Sequence, residues 1–151
     1  MQISLASDFS FRVLLYLSSC PEEDNITIAE VALQLGVSRP YLMKVVARLS
    51  KLGWVDSVRG RHGGIRIASK AAELKIGAIM RRLENSGPLI DCKALNCVLA
   101  DRCTYFRVLE EARRAFFSSL DGYRLQDLAT PPTSRLLYRL HRQAVQMSVT
   151  Q

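Results

Sequence analysis

The sequence predicts a mainly α-helical chain with a single small β-hairpin wing, and three observations carry that prediction. Apolar residues recur every three or four positions in several separate stretches, two short β-prone runs flank the glycine-rich "RGRHGG", and turn signals divide the pieces. At 151 residues the chain can form one compact domain with an appended element, whereas two full domains would be a squeeze.

Over residues 8–19, Phe9, Val13, Leu14 and Leu17 share a helical face, and Pro21 with "EED" closes that helix. Thr27 and Glu30 stand in capping-box spacing before a short helix over residues 28–35. Gly36 suits the left-handed closure of that helix, and Ser38 is placed to cap the next one, with Pro40 tolerated in its first turn. The second helix of the pair gathers Leu42, Val45, Val46 and Leu49 on one face and carries Arg39, Lys44, Arg48 and Lys51 elsewhere. "WVDSV" and "IRIA" then read as the two strands of an exposed, glycine-turned hairpin. A stripe of Ala72, Ile76, Ile79, Met80 and Leu83 predicts a helix over residues 71–83. Over residues 104–120, Val108, Leu109, Ala112, Ala115, Phe116 and Leu120 make a broad apolar stripe, which predicts a long helix packed on a partner helix. "LQDLA" adds one turn, and "TPPTS" with the remaining residues reads as a linker and a loosely held end. The chain thus divides into an N-terminal unit of helices and hairpin (1–84), a cysteine loop (85–103), a long helix, expected to dimerise, with its following turn (104–130) and a flexible tail (131–151).

The formal net charge is +7, and its distribution is more telling than its sum. Between residues 39 and 70 stand Arg39, Lys44, Arg48, Lys51, Arg59, Arg61, Arg66 and Lys70 against one acid, Asp56. A helix, a glycine turn, a second helix and a basic hairpin together predict a winged helix-turn-helix, whose second helix enters the major groove while the hairpin reaches flanking backbone. Ser38, Arg39, Tyr41, Lys44 and Arg48, with Arg59 and Arg61 on the wing, are the candidate DNA contacts, although Tyr41 equally suits a partly buried core position. The bland alternative is a solvated basic face. The apolar run near the N-terminus lacks the layout of a signal peptide and no stretch approaches a bilayer span, so the expectation is a soluble cytoplasmic protein. Two histidines in unrelated places, His62 in the wing and His141 in the tail, give no catalytic triad, and both read as phosphate-facing or solvated. The chain is not expected to be an enzyme.

Cys92, Cys97 and Cys103 follow the pattern C-x4-C-x5-C, and the residues between them hold no other strong metal ligand. Thiolates suit zinc, copper(I) or iron-sulfur clusters, each of which asks for a fourth donor that this loop lacks. A redox pair with one thiol left over is the competing reading. Cys20, beside Pro21, reads as a small buried hydrophobe, with a fourth-ligand role as the alternative.

The run "YLMKVVARLSKLGWVDSVRGRHGGIRIA", the first-helix segment "SDFSFRVLLYLS" and a cysteine loop ahead of a long helix resemble the Rrf2-type winged-helix transcription regulators. The resemblance covers roughly the first 130 residues. It implies a homodimer joined by the long helices, a palindromic promoter operator, and an iron-sulfur cluster near the interface. Within the family the nitric-oxide-sensing branch is the most similar, which implies a repressor whose [4Fe-4S] cluster is held by Cys92, Cys97 and Cys103, with Asp8 of the other subunit as the fourth ligand. Arg12, one turn after Asp8, would orient that carboxylate, though it suits an ordinary surface position equally well. The iron-sulfur biogenesis branch has a wider first cysteine interval and a histidine three residues after the last cysteine, where this chain has Phe106. A [2Fe-2S] or zinc-based status or redox regulator, and in a different class an iron-sulfur carrier or electron-transfer protein, are the alternatives.

Overall fold

The computed structural model describes residues 2–24, 26–58, 63–84, 87–100 and 102–149. Its elements are α1 (Leu5–Ser18), α2 (Ile28–Gln34), α3 (Arg39–Lys51), β1 (Val55–Val58), β2 (Gly64–Ile67), α4 (Ile76–Leu83), α5 (Thr104–Leu120), α6 (Leu125–Leu128) and α7 (Thr133–Val149). The predicted architecture of helices with one antiparallel hairpin is present.

Helix α1 starts earlier than apolar periodicity suggests because the Ser4 hydroxyl accepts the Ser7 N–H at 3.2 Å and caps it. Val13, Leu14 and Leu17 are buried against Leu42, Val45, Val46 and Leu49 of α3 in one core. Thr27 caps α2 by accepting the Glu30 N–H at 3.1 Å, but Glu30 does not complete the capping box. Its carboxylate is drawn to Tyr16 and His141 instead. Gly36 takes φ +67°, and the turn it makes, bonded from the Val37 N–H to the Ala32 carbonyl, sets α3 against α2. Ser38 occupies the cap position of α3, yet its side chain makes no capping bond.

Strands β1 and β2 pair from Val55↔Ile67 to Val58↔Gly64, and Ile26 adds a bridge to Ile65, tying the hairpin to the start of α2. The helix expected over residues 71–83 begins only at Ile76. Upstream of it the backbone is engaged elsewhere: Lys75 bridges Arg124, Ile76 N–H donates to the Tyr123 carbonyl, and the amides of Leu125 and Gln126 donate to the carbonyls of Leu74 and Ala72. Helices α4 and α5 approach so closely at Gly77 that a Cβ there would meet the Asp121 carboxylate and the Phe117 carbonyl.

The C-terminal segment corrects the expectation of a loosely held tail. Residues 133–149 form α7, which packs on α1 and α2. The expectation of a solvated His141 also fails. Its ring is 1% exposed, with Nδ1 2.7 Å from Glu30 and Nε2 3.0 Å from Asp24. The partners lie more than a hundred positions away along the chain, so no local pattern within α7 announces this contact.

Candidate DNA-reading face and cysteine loop

On α3, Arg39 and Lys44 are exposed, as is Ser38 just ahead of the helix, while Leu42, Val45, Val46 and Leu49 are buried. Tyr41 is half-buried, edge-on to Phe9 with ring centroids 5.7 Å apart, and packs against the core. Arg48 is directed inward: its guanidinium donates to the Leu83 and Arg82 carbonyls, which the end of α4 leaves without helical partners. A cation at that end also complements the helix dipole. Arg59, Arg61 and His62 lie outside the described residues. On the hairpin, Arg66 is exposed and faces Asp56 at 3.7 Å.

The loop leaving α4 is anchored at both ends. Near its start, the carboxylate of Glu110 accepts from the Leu89 backbone and grips Arg113 through three contacts of 2.8–3.1 Å. That arginine holds the Glu110 carboxyl below the usual range. At the far end Cys103 is the N-cap of α5, its Sγ accepting the Phe106 N–H at 3.4 Å. In between, Asp91 takes the Ala94 N–H on its side chain, the Cys97 N–H donates to the Cys92 carbonyl at 3.0 Å, and Asn96 turns the chain with φ +45°.

Cys92, Cys97 and Cys103 are free thiols at half-buried positions. Desolvation pushes the Cys92 thiol up, and the neighbouring Cys97 and Cys103 thiols, which would repel a second negative charge, push it further. Cys92 thus has both other thiols of the loop as electrostatic neighbours. Among the described residues, however, no group of three or more Cys, His, Asp and Glu side chains is gathered as a metal site. The donor class fits a thiolate-bound group, while the described loop is not closed around one centre. Cys20 is buried, and burial aided by the charges of Glu30 and Asp24 raises its thiol to about 12, so it is an inert core residue.

Asp8 lies in the first turn of α1, with its carboxylate 2.9 Å from the Arg12 guanidinium, which also lies over the Phe9 ring. The residue missed by the sequence reading is Glu84, the C-cap of α4. It accepts the Ser4 N–H at 2.9 Å and the Ser4 hydroxyl at 3.1 Å, joining the root of the cysteine loop to the start of the helix that bears Asp8. Eighty positions separate these partners, and no local pattern links them.

Helix α5 buries only Phe117 fully. Tyr105 and Val108 are 64% and 54% exposed, and with the exposed Ala112 and Ala115 they form an apolar stripe in 3-4-3 spacing.

The Rrf2 family, described as "Iron-dependent Transcriptional regulator", matches residues 3–131, so α7 lies wholly beyond the matched segment. The HTH-type transcriptional regulator NsrR of Geobacillus kaustophilus is 40% identical over 131 residues, covering 85% of this chain and 89% of that protein. Among solved structures, the oxidized form of CymR from Staphylococcus aureus has a TM-score of 0.68 at 25% identity, covering 85% of this chain and 96% of the other. IscR of T. potens has a TM-score of 0.67 at 27% identity, covering 85% of each. No helix among the described residues is long and apolar enough to cross a membrane. A helix-turn-helix with a basic outer face, a hairpin wing and a long apolar-striped helix are thus joined to sequence similarity over most of the length, and the chain belongs to the Rrf2 family of transcriptional regulators.

Proposed function

We propose that the protein is a cytoplasmic homodimeric repressor that binds a palindromic double-stranded operator while holding an iron-sulfur cluster, [4Fe-4S] in preference to [2Fe-2S], and that nitric oxide is its signal. The observation that carries this reading is the trio of free, half-buried thiols on a loop tied at its root to α1 and α3 of the DNA-reading unit. The resemblance to the nitric-oxide-sensing branch and the 40% identity to NsrR support it. The apolar stripe of α5 supports the dimer, since two copies packed along it would bury Tyr105 and Val108.

Cys92, Cys97 and Cys103 would hold the cluster, with Asp8 of the other subunit as the fourth donor. When bound, the cluster supplies iron that reacts with nitric oxide. Asp8 offers a hard oxygen donor, a poorer match to cluster iron than a thiolate, and Arg12 orients it at 2.9 Å. On the DNA face, Arg39 and Lys44 take phosphate or base edges and Ser38 meets the backbone, with Arg59 and Arg61 assigned to the wing.

The test is native mass spectrometry of protein purified without oxygen, before and after addition of nitric oxide. A dimer with one [4Fe-4S] mass per subunit that is lost on exposure supports the reading, whereas bound zinc, or a [2Fe-2S] mass indifferent to nitric oxide, refutes it. Asp8→Ala is expected to weaken the dependence of operator affinity on cluster state, and undiminished dependence would remove the cross-subunit ligand.

A further inference from the structure

Three elements converge where α4 ends. Arg48, from the second half of the recognition helix α3, donates to the Leu83 and Arg82 carbonyls. The next residue, Glu84, accepts the backbone and side chain of Ser4, the N-cap of α1. Ser4 in turn accepts the Asp8 N–H on its carbonyl at 2.9 Å and bonds Ser7 through its hydroxyl. Three residues past Glu84 the described part of the cysteine loop begins. One joint therefore touches both sources of candidate cluster ligands, the Asp8 turn and the cysteine loop, and the helix that reads DNA.

We infer that Arg48 and Glu84 are positioning residues that carry the state of the cysteine loop and the Asp8 turn to the recognition helix. This inference rests on the proposed cluster-controlled repression. The linkage is short: one guanidinium nitrogen, Nη2 of Arg48, donates to two adjacent carbonyls, and one carboxylate oxygen, Oε1 of Glu84, accepts both donors of one capping residue. A shift of the Leu83–Glu84 peptide, driven from the loop or from the start of α1, must move Arg48 or break its bonds. Arg48 sits in the last turn of α3, so the displacement reaches the end of the helix that lies farthest from the tight turn at Gly36. The helix therefore pivots about that turn. Arg48 is thereby withdrawn from the DNA contacts that its place in the basic run suggests.

The experiment measures affinity for a duplex selected from a random pool by the cluster-loaded wild-type dimer. Each protein is assayed loaded and cluster-free, with cluster content followed by absorbance and folding by thermal melting. Couplings of this kind typically span about 5–150-fold in affinity. Arg48→Ala and Glu84→Ala are expected to bring the ratio of the two affinities to within about threefold of one, with cluster content unchanged. Glu84→Gln, whose amide oxygen can still accept from Ser4, is expected to keep most of the ratio. A wild-type ratio retained by both alanine variants overturns the inference while leaving the repressor reading intact. An equal loss of affinity in both states for Arg48→Ala, with a shallower salt dependence, would make Arg48 a phosphate contact and overturns it as well. A wild-type ratio of one fails the repressor reading itself and removes any coupling for these residues to carry. If Arg48→Ala does not fold, Glu84→Ala and Ser4→Ala, which leave α3 untouched, decide the matter on the same ratio.

Discussion

At the scale of single residues, the buried triad of His141, Glu30 and Asp24 shows most clearly how one side chain fixes an element. Its imidazole bridges two carboxylates, one at each ring nitrogen. Removing it strips both of that partner and leaves Glu30, itself mostly buried, with only its Tyr16 bond at 2.8 Å. His141→Ala is therefore expected to lower stability by about 2–4 kcal/mol and to expose α7 to protease, as thermal melts and limited proteolysis would show. Cys20 and Tyr16 set the alkaline limit. Burial raises both, and the Cys20 thiol, about 12 when folded, ionises near its ordinary 9 once unfolded. Between those values the unfolded chain has lost a proton that the folded chain keeps, so stability is full below pH 9 and declines as pH rises towards 12. Melting temperatures across that window should fall less steeply in Cys20→Ala, with Tyr16 sustaining the remaining slope. The opposite sign holds in acid. Glu84, Glu110 and Asp121 are depressed when folded, and the stability they add above the ordinary carboxylate range is lost as pH drops through it.

At the scale of elements, the α4–α5 crossing is set by a missing side chain. Gly77 lets α4 lie directly against the Phe117 carbonyl and the Asp121 carboxylate, which is held in turn by Arg81. Gly77→Ala should force these apart at a cost of about 1–3 kcal/mol, measurable by denaturant unfolding. Elements whose residues close their own contacts were legible in the sequence: the apolar stripe of α3, the Gly36 turn and the one-turn α6 follow from neighbours a few positions apart. Those that depend on distant partners were not. The delayed start of α4 reflects backbone pairing with residues 123–126, and the docking of α7 depends on acids near the start of α2. The cysteine trio could be read from spacing, whereas the bonds of Arg48 to the end of α4 could not, because charge patterning does not reveal which way a side chain turns.

At the scale of the whole molecule, the proposed function is a two-fold complex on DNA, with which the basic face and the α5 stripe are consistent. If a dimer neutralises about eight phosphates, the logarithm of its affinity should fall against the logarithm of salt concentration with a slope of roughly −7. A flat dependence would remove the DNA-reading assignment of Arg39 and Lys44. The arrangement of cysteines also supplies a built-in chemical reporter. Three of the four sit half-exposed in one loop, and the fourth, Cys20, is buried just past the end of α1, where its raised pKa disfavours the reactive thiolate. A thiol-reactive dye added to native, cluster-free protein should therefore label three sites quickly, and the slow arrival of the fourth label should time the opening of the DNA-reading core.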